Sequence, residues 1–209
     1  MRTISAAQAT ALNHAYWASC GDTHLADGAY YRRVRDVLPL LCELYLSPRD
    51  HVLDVGCGNG EYTQHIAERC RQVRAFDLSP KLVEQARARG VANIDFRCGD
   101  VAALSEHRDV SFDAAFAMGV FVTIHGDRFP SAMAEVAALV RPGGLLITRD
   151  SVTPHEDVMR HVTDGYIAHY RSVQRFVGTI ADAGFSLERS VFLEQFKDMT
   201  NSFYVFRRS

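Results

Sequence analysis

Three aspartates, Asp54, Asp77 and Asp100, recur at intervals of 23 residues, and three glycines, Gly56, Gly58 and Gly60, crowd behind the first of them. Carboxylates accept hydrogen bonds and offset positive charge, and a glycine cluster lets backbone approach a ligand closely at a turn. A row of three such acids beside that turn suits a ligand with several donors and a cation. The glycine spacing is G-x-G-x-G, and Glu61 stands where a dinucleotide-binding loop would place its last glycine. A phosphate favours a helix N-terminus free of acids. Glu61 therefore favours a ligand with an amino-acid part and a nucleoside part over a pyrophosphate. Asp77 closes a strand, the position from which an acid grips a ribose diol.

The elements that must position these residues alternate along the chain. Apolar runs at 51–56, 73–77, 92–100, 112–120 and 145–152 read as strands, and 61–72, 78–90, 127–140 and 170–184 read as helices. Ser79 is the expected N-cap of the second of these helices, Pro80 its first residue and Gly90 its stop. Residues 141–144, Arg-Pro-Gly-Gly, read as a turn. Two closing runs after Gly184, with a short link and no helix between them, read as a hairpin. Residues 4–20 and 26–46 read as two helices on top of the sheet. The fold class is α/β: a Rossmann-like, doubly wound, mostly parallel seven-stranded sheet with an antiparallel terminal hairpin and an N-terminal helical cap. One domain covers 1–209, divided into a cap at 1–46, a core at 51–152, and a lid, last helix and hairpin at 153–209. Twenty-three residues make one strand–helix unit, so the three aspartates fall on neighbouring strand ends at the carboxyl edge, where open α/β sheets bind ligands.

The segments VLDVGCGNG, FDLSP, CGDV, FDAAFAM and LVRPGGLLI stand in order between residue 51 and about residue 150. In that order and spacing the chain resembles the class I S-adenosylmethionine-dependent methyltransferases, and the closing AGFSLE…FYVFRR fits the family's last helix and hairpin. The resemblance implies S-adenosyl-L-methionine as cofactor and a small-molecule methyl acceptor as partner. It further implies that Asp54 orients the loop and holds the cofactor's ammonium directly or through water. Gly56, Cys57 and Gly58 would lie on the methionyl part, and Asp77 would take both ribose hydroxyls with Leu78 against the adenine. Asp100 would accept from the adenine amino group beside Val101, and Met118 and Gly119 would flank the sulfonium.

Methyl transfer needs alignment and exclusion of water more than a catalytic triad, and a base only where the acceptor arrives protonated. His125, in VFVTIHGD, is the first candidate for that base; the alternative is that it packs its loop. Arg149 and Asp150 form a polar exit from an apolar strand and are candidates for binding a charged acceptor. Tyr16, Trp17, Tyr30 and Tyr31 in the cap, and Tyr166 and Tyr170 in the lid, are candidates to enclose a planar acceptor. His161, Tyr166 and His169 fall near one helical face, but without a fourth ligand they read as pocket wall, and no metal site is assigned.

The bulk composition narrows the class. The chain has 209 residues, 47% hydrophobic and 23% charged, with a formal net charge of −2. That balance gives no reason to expect nucleic acid as partner. Arg32, Arg33 and Arg35 read as a solvated helix face. Five cysteines without a C-x-x-C pair read as reduced thiols of a cytoplasmic protein. No apolar run is long enough to span a membrane. Monomer and homodimer are both compatible with these residues. Two other readings stay open: a protein that binds the cofactor without turnover, and a dinucleotide-dependent oxidoreductase.

Overall fold

Strands buried on both faces read as nearly continuous apolar runs, and Phe112–Met118 shows why: only Asp113 in it escapes full burial. The computed structural model describes residues 5–22, 29–107 and 110–209, without the side chains of 29, 30 and 105–107. Among them, β1 (His51–Val55), β2 (Gln72–Asp77), β3 (Ile94–Cys98), β4 (Phe112–Met118), β5 (Val140–Val152), β8 (Phe185–Phe196) and β9 (Met199–Arg208) form one sheet in the order β3-β2-β1-β4-β5-β9-β8. The first five are parallel; β9 runs antiparallel to β5 and β8. The expected seven-stranded sheet and terminal hairpin are present.

Helices cover both faces. On one, Val34 and Leu38 of α2 (Ala29–Tyr45), Ile66 of α3 (Glu61–Ala67) and Val83 of α4 (Pro80–Arg87) pack against Val52, Ile147 and Val205. On the other, Met133 and Val136 of α5 (Arg128–Leu139) and Phe176 and Ile180 of α6 (Val173–Asp182) pack against Leu53, Leu146 and Phe206. Helix α1 (Ala6–Ser19) contributes to neither of these layers and α2 to the first, so the expected pair of helices on top is corrected: α2 belongs to a face layer. Its arginines are also not a free surface, since Arg35 pairs with Glu61 at 2.7 Å and Arg33 donates to the Leu193 carbonyl at 2.8 Å. The amide of Ser79 and its hydroxyl make the expected start of α4. The hydroxyl accepts from Leu82 N–H at 3.2 Å and donates to the Cys20 carbonyl at 2.5 Å, tying α1 to α4.

Three differences from the sequence reading shape the frame of the site. Helix α3 stops at Ala67 because Asn93 Nδ2 donates to the Ala67 and Cys70 carbonyls, at 2.9 and 3.4 Å, in place of another helical turn. Residues 141–144 are a bulge inside β5: Phe112 pairs with Val140, but Ala114 pairs with Leu145. A Cβ on Gly144 would lie 2.9 Å from the Asp113 carbonyl oxygen. The lid contains no histidine helix. It folds as the hairpin β6 (Val158–His161) and β7 (Ile167–Tyr170), because Val158 to His161 pair with Tyr170 to Ile167 as extended backbone.

Gly60 opens α3 at φ 78°, and a Cβ there would lie 2.9 Å from Phe96 Cζ and 3.1 Å from Ala86 Cβ. Left-handed backbone and overpacking add for any L side chain. Gly60→Ala should therefore lose ~2–4 kcal/mol of unfolding free energy, read from the urea midpoint; an unchanged midpoint would show that α3 re-seats freely.

Candidate active site

The turn after β1 is folded by hydrogen bonds to β2. The Gly56 and Cys57 amides donate to the Phe76 carbonyl at 2.7 and 3.0 Å. The Gly58 amide donates to Asp77 Oδ2 at 2.8 Å, and the Ser79 amide to Asp77 Oδ1 at 2.9 Å. A carboxylate has about four lone-pair sites, so each oxygen retains one. Burial raises the Asp77 pKa, opposed by the Ser79, Gly58 and Leu78 amides. A Cβ on Gly56 would run into the Val120 side chain, so the turn and the loop after β4 close on one another only with glycine there.

A cavity of about 770 Å³ lies at this carboxyl edge, reaching from Asp100 beyond β3 to Glu194 on β8. Gly56, Cys57, Gly58, Asp77 and Leu78 form its wall on one side, with Asp100 and Val101 next to them and Met118 and Gly119 at the end of β4. Asp54 is not in that wall. It is 1% exposed, Oδ2 accepts from the Thr63 hydroxyl of α3 at 2.7 Å, and Oδ1 has no partner among the described residues. Burial pushes its pKa up to about 7, against the Thr63 hydrogen bond. Asp100 is already engaged: Oδ2 accepts from Arg128 at 2.7 Å and lies 3.5 Å from His14 Nε2, while Oδ1 accepts from the Ala102 amide at 3.0 Å. Burial would raise its pKa, but the Ala102 amide and Arg128 outweigh it and hold the carboxyl below the ordinary range.

Adjacent residues of a strand point to opposite faces, which separates Arg149 from Asp150. Arg149 lines the cavity and donates to the Met118 carbonyl at 2.8 Å. Asp150, expected as an acceptor-binding residue, is absent from the cavity wall; it is 1% exposed, and neither carboxylate oxygen has a hydrogen-bond partner among the described residues. Burial lifts its pKa to about 7, with Arg149 opposing.

The loop after β4 is pinned from above. His125 is 1% exposed, lines the cavity, and its Nε2–H donates to the Ile167 carbonyl at 2.8 Å. A carbonyl only accepts, so this bond sets the tautomer and leaves Nδ1 unprotonated in the neutral ring; burial lowers the pKa. The ring stacks on His169 at 5.4 Å, which donates to Asp157 at 3.0 Å and whose pKa burial depresses to about 4. Arg171 donates to the Phe121 carbonyl at 2.6 Å and to the Ile124 carbonyl.

Sequence reasoning missed Asn13. Its Nδ2 donates to the Thr123 and Ile167 carbonyls, both at 2.7 Å, and its Oδ1 accepts from the Ile167 amide at 2.9 Å. One buried side chain thereby joins α1, the loop after β4 and the lid. Partners 110 and 154 residues away leave no local signal. Of the aromatic candidates, Trp17, Tyr31, Tyr166 and Tyr170 line the cavity. Tyr16 stands behind, stacked on Tyr166 at 5.8 Å, and the Tyr30 side chain lies outside the described residues.

An acid whose pKa rises on folding favours the folded state most below its unfolded pKa, and that advantage is lost as pH rises through the folded value. For Asp150 the window runs from about 4 to about 7. Asp150→Asn should gain thermal stability relative to the parent as pH rises from 5 to 8, by ~4 °C or more. A difference in Tm that stays constant with pH would contradict the raised pKa of this buried carboxylate.

The sheet order, with a cavity at its carboxyl edge, defines a Rossmann-like α/β fold. Residues 52–144 match the family described as methyltransferase domain. The ubiquinone biosynthesis O-methyltransferase of Xanthomonas oryzae pv. oryzae is 35% identical over 122 residues, 56% of this chain and 50% of the relative. The O-methyltransferase cnsE of Penicillium expansum is 32% identical over 148 residues, 67% of this chain and 51% of the relative. The chain spans about half the length of the curated relatives it matches. Among solved structures, the DhpI–SAH complex superposes with a TM-score of 0.72 at 22% identity, covering 96% of this chain and 97% of that one. Over residues 52–144 the chain is thus similar to the methyltransferase domain family, and its fold is the one the DhpI–SAH complex shows. No helix among the described residues is long and apolar enough to cross a membrane.

Proposed function

We propose that this chain moves a methyl group from S-adenosylmethionine to a small-molecule acceptor, at oxygen or nitrogen, within a single cytoplasmic methyltransferase domain. The observation that carries the reading is the continuity of the cavity, which joins Asp77 and the glycine turn to the aromatic residues of α2 and the lid past Met118 and Gly119. The residues fit the cofactor. Asp77 offers one remaining lone pair on each oxygen to a ribose diol, and the Gly56–Gly58 backbone offers a surface without side chains. Leu78 and Val101 provide an apolar slot for adenine, with Asp100 at its rim, and Asp54 reaches the cofactor's ammonium only through water.

Bound S-adenosylmethionine supplies an electrophilic methyl on a sulfonium. The chain's part is to hold the acceptor in line with that methyl and to exclude water. Met118 and Gly119 are fixed for this by Arg149, whose guanidinium holds the Met118 carbonyl. His125 serves as a positioning residue in this reading, since its Nε2–H is committed to Ile167. An unpartnered Glu61 would repel an anionic ligand; paired with Arg35, it ties α3 to α2 instead.

Titration calorimetry should give micromolar binding of S-adenosylmethionine and S-adenosylhomocysteine and none of NAD. Asp77→Ala should weaken both by more than tenfold, because a charge-assisted pair of hydrogen bonds is removed. Binding of NAD alone would overturn the assignment. His125→Ala should cost ~1–3 kcal/mol of stability by removing a buried ring and its hydrogen bond to the Ile167 carbonyl, which Asn13 still serves, with S-adenosylhomocysteine affinity within about threefold of the parent; a large loss of affinity at full stability would instead place His125 on the cofactor.

A further inference from the structure

One acid of the cavity stands apart from the glycine turn. Glu194 lies on β8, the edge strand at the far end of the sheet from β3, and its side chain lines the cavity. Its Oε2 is shut off from water and has no hydrogen-bond partner among the described residues. Regular pairing would not aim it there. Phe192 pairs with Ser202 but Glu194 with Asn201, so Leu193 is an extra residue in β8. Such a bulge bends a strand and re-aims the side chains around it. Phe192 stays 62% exposed, Leu193 drops into the core, and Glu194 turns to the cavity. Arg33 holds the Leu193 carbonyl at 2.8 Å, which fixes the bulge from the α2 side.

A buried carboxylate oxygen without a partner costs free energy that a ligand N–H would recover. The same cavity presents Tyr31, Tyr166 and Tyr170, and aromatic faces attract cations. Carboxylate and rings together select a cationic amine on a flat body. Three arginines bear on this region. Arg160, 5.9 Å over the Tyr170 ring, is paired with Asp198. Arg33 spends a donor on the Leu193 carbonyl, and Arg149 on the Met118 carbonyl, two strands away on β5. Beside them, the Ser151 hydroxyl donates to Asn201 Oδ1. The aspartates of the glycine-turn side lie after β2 and β3, beyond β5, β4 and β1. Glu194 is thus the acid available to an acceptor.

We propose that Glu194 anchors the methyl acceptor and that the acceptor is a small, flat molecule carrying a protonated amine. This rests on the methyl-transfer reading above. The test titrates tyramine, 4-ethylphenol and 4-hydroxyphenylacetate into protein saturated with S-adenosylhomocysteine, in the parent and in Glu194→Gln. Tyramine should bind at least tenfold more tightly than the other two. In Glu194→Gln that advantage should vanish while S-adenosylhomocysteine affinity holds and Tm does not fall. Equal binding of the three probes, absence of tyramine binding up to about 10 mM, or an advantage that survives in Glu194→Gln would overturn the proposal. Failure of S-adenosylhomocysteine itself to bind would instead overturn the methyl-transfer reading.

Discussion

The hydrogen bond from the Gly58 amide to Asp77 is the constraint on which the site depends. It joins the turn after β1 to the end of β2, and with the Ser79 amide it fixes the carboxylate in one orientation. The turn reaches Asp77 only because Gly56 and Gly60 accept contacts that a Cβ would forbid, with Val120 on one side and Phe96 on the other. Once it is closed, α3 and α4 start at defined points, and the Ser79 hydroxyl carries the constraint on to α1 through the Cys20 carbonyl. A single carboxylate therefore organises both the cradle and part of its cover.

The opposite half of the cavity is organised by backbone groups of Ile167. Its carbonyl accepts from Asn13 and His125, and its amide donates to Asn13. These bonds couple α1, the loop after β4 and the lid hairpin, so Trp17 and Tyr166 in the cavity wall share one mechanical anchor. Tyr16 against Tyr166 and Trp17 against Tyr166 extend the same contact. The two halves meet at Met118 and Gly119, where Arg149 braces the end of β4.

The parallel core and the glycine turn at its carboxyl edge were legible because their signals are local. Apolar runs, Ser79 before Pro80, and acids at one strand–helix interval each depend on few neighbours. Asp150 was misplaced because β5 is apolar on both faces, so its run carries no alternation to say which side a polar residue takes. The lid was misread because extended pairing of 158–161 with 167–170 overrides a histidine spacing that also fits a helix. Asn13 and Glu194 were invisible for a different reason. Asn13 acts through partners more than a hundred residues away, and Glu194 depends on a bulge in a strand whose side chains are mostly exposed.

A crystal structure of the protein with S-adenosylhomocysteine reads the geometry of the cradle directly. The ribose hydroxyls should lie within hydrogen-bond distance of both Asp77 oxygens, with the sulfur beside Met118 and Gly119 and the tyrosine-lined half of the cavity open to an acceptor. A ligand whose ribose avoids Asp77, or whose body fills the tyrosine-lined half, would contradict the division of the cavity into cofactor and acceptor sides.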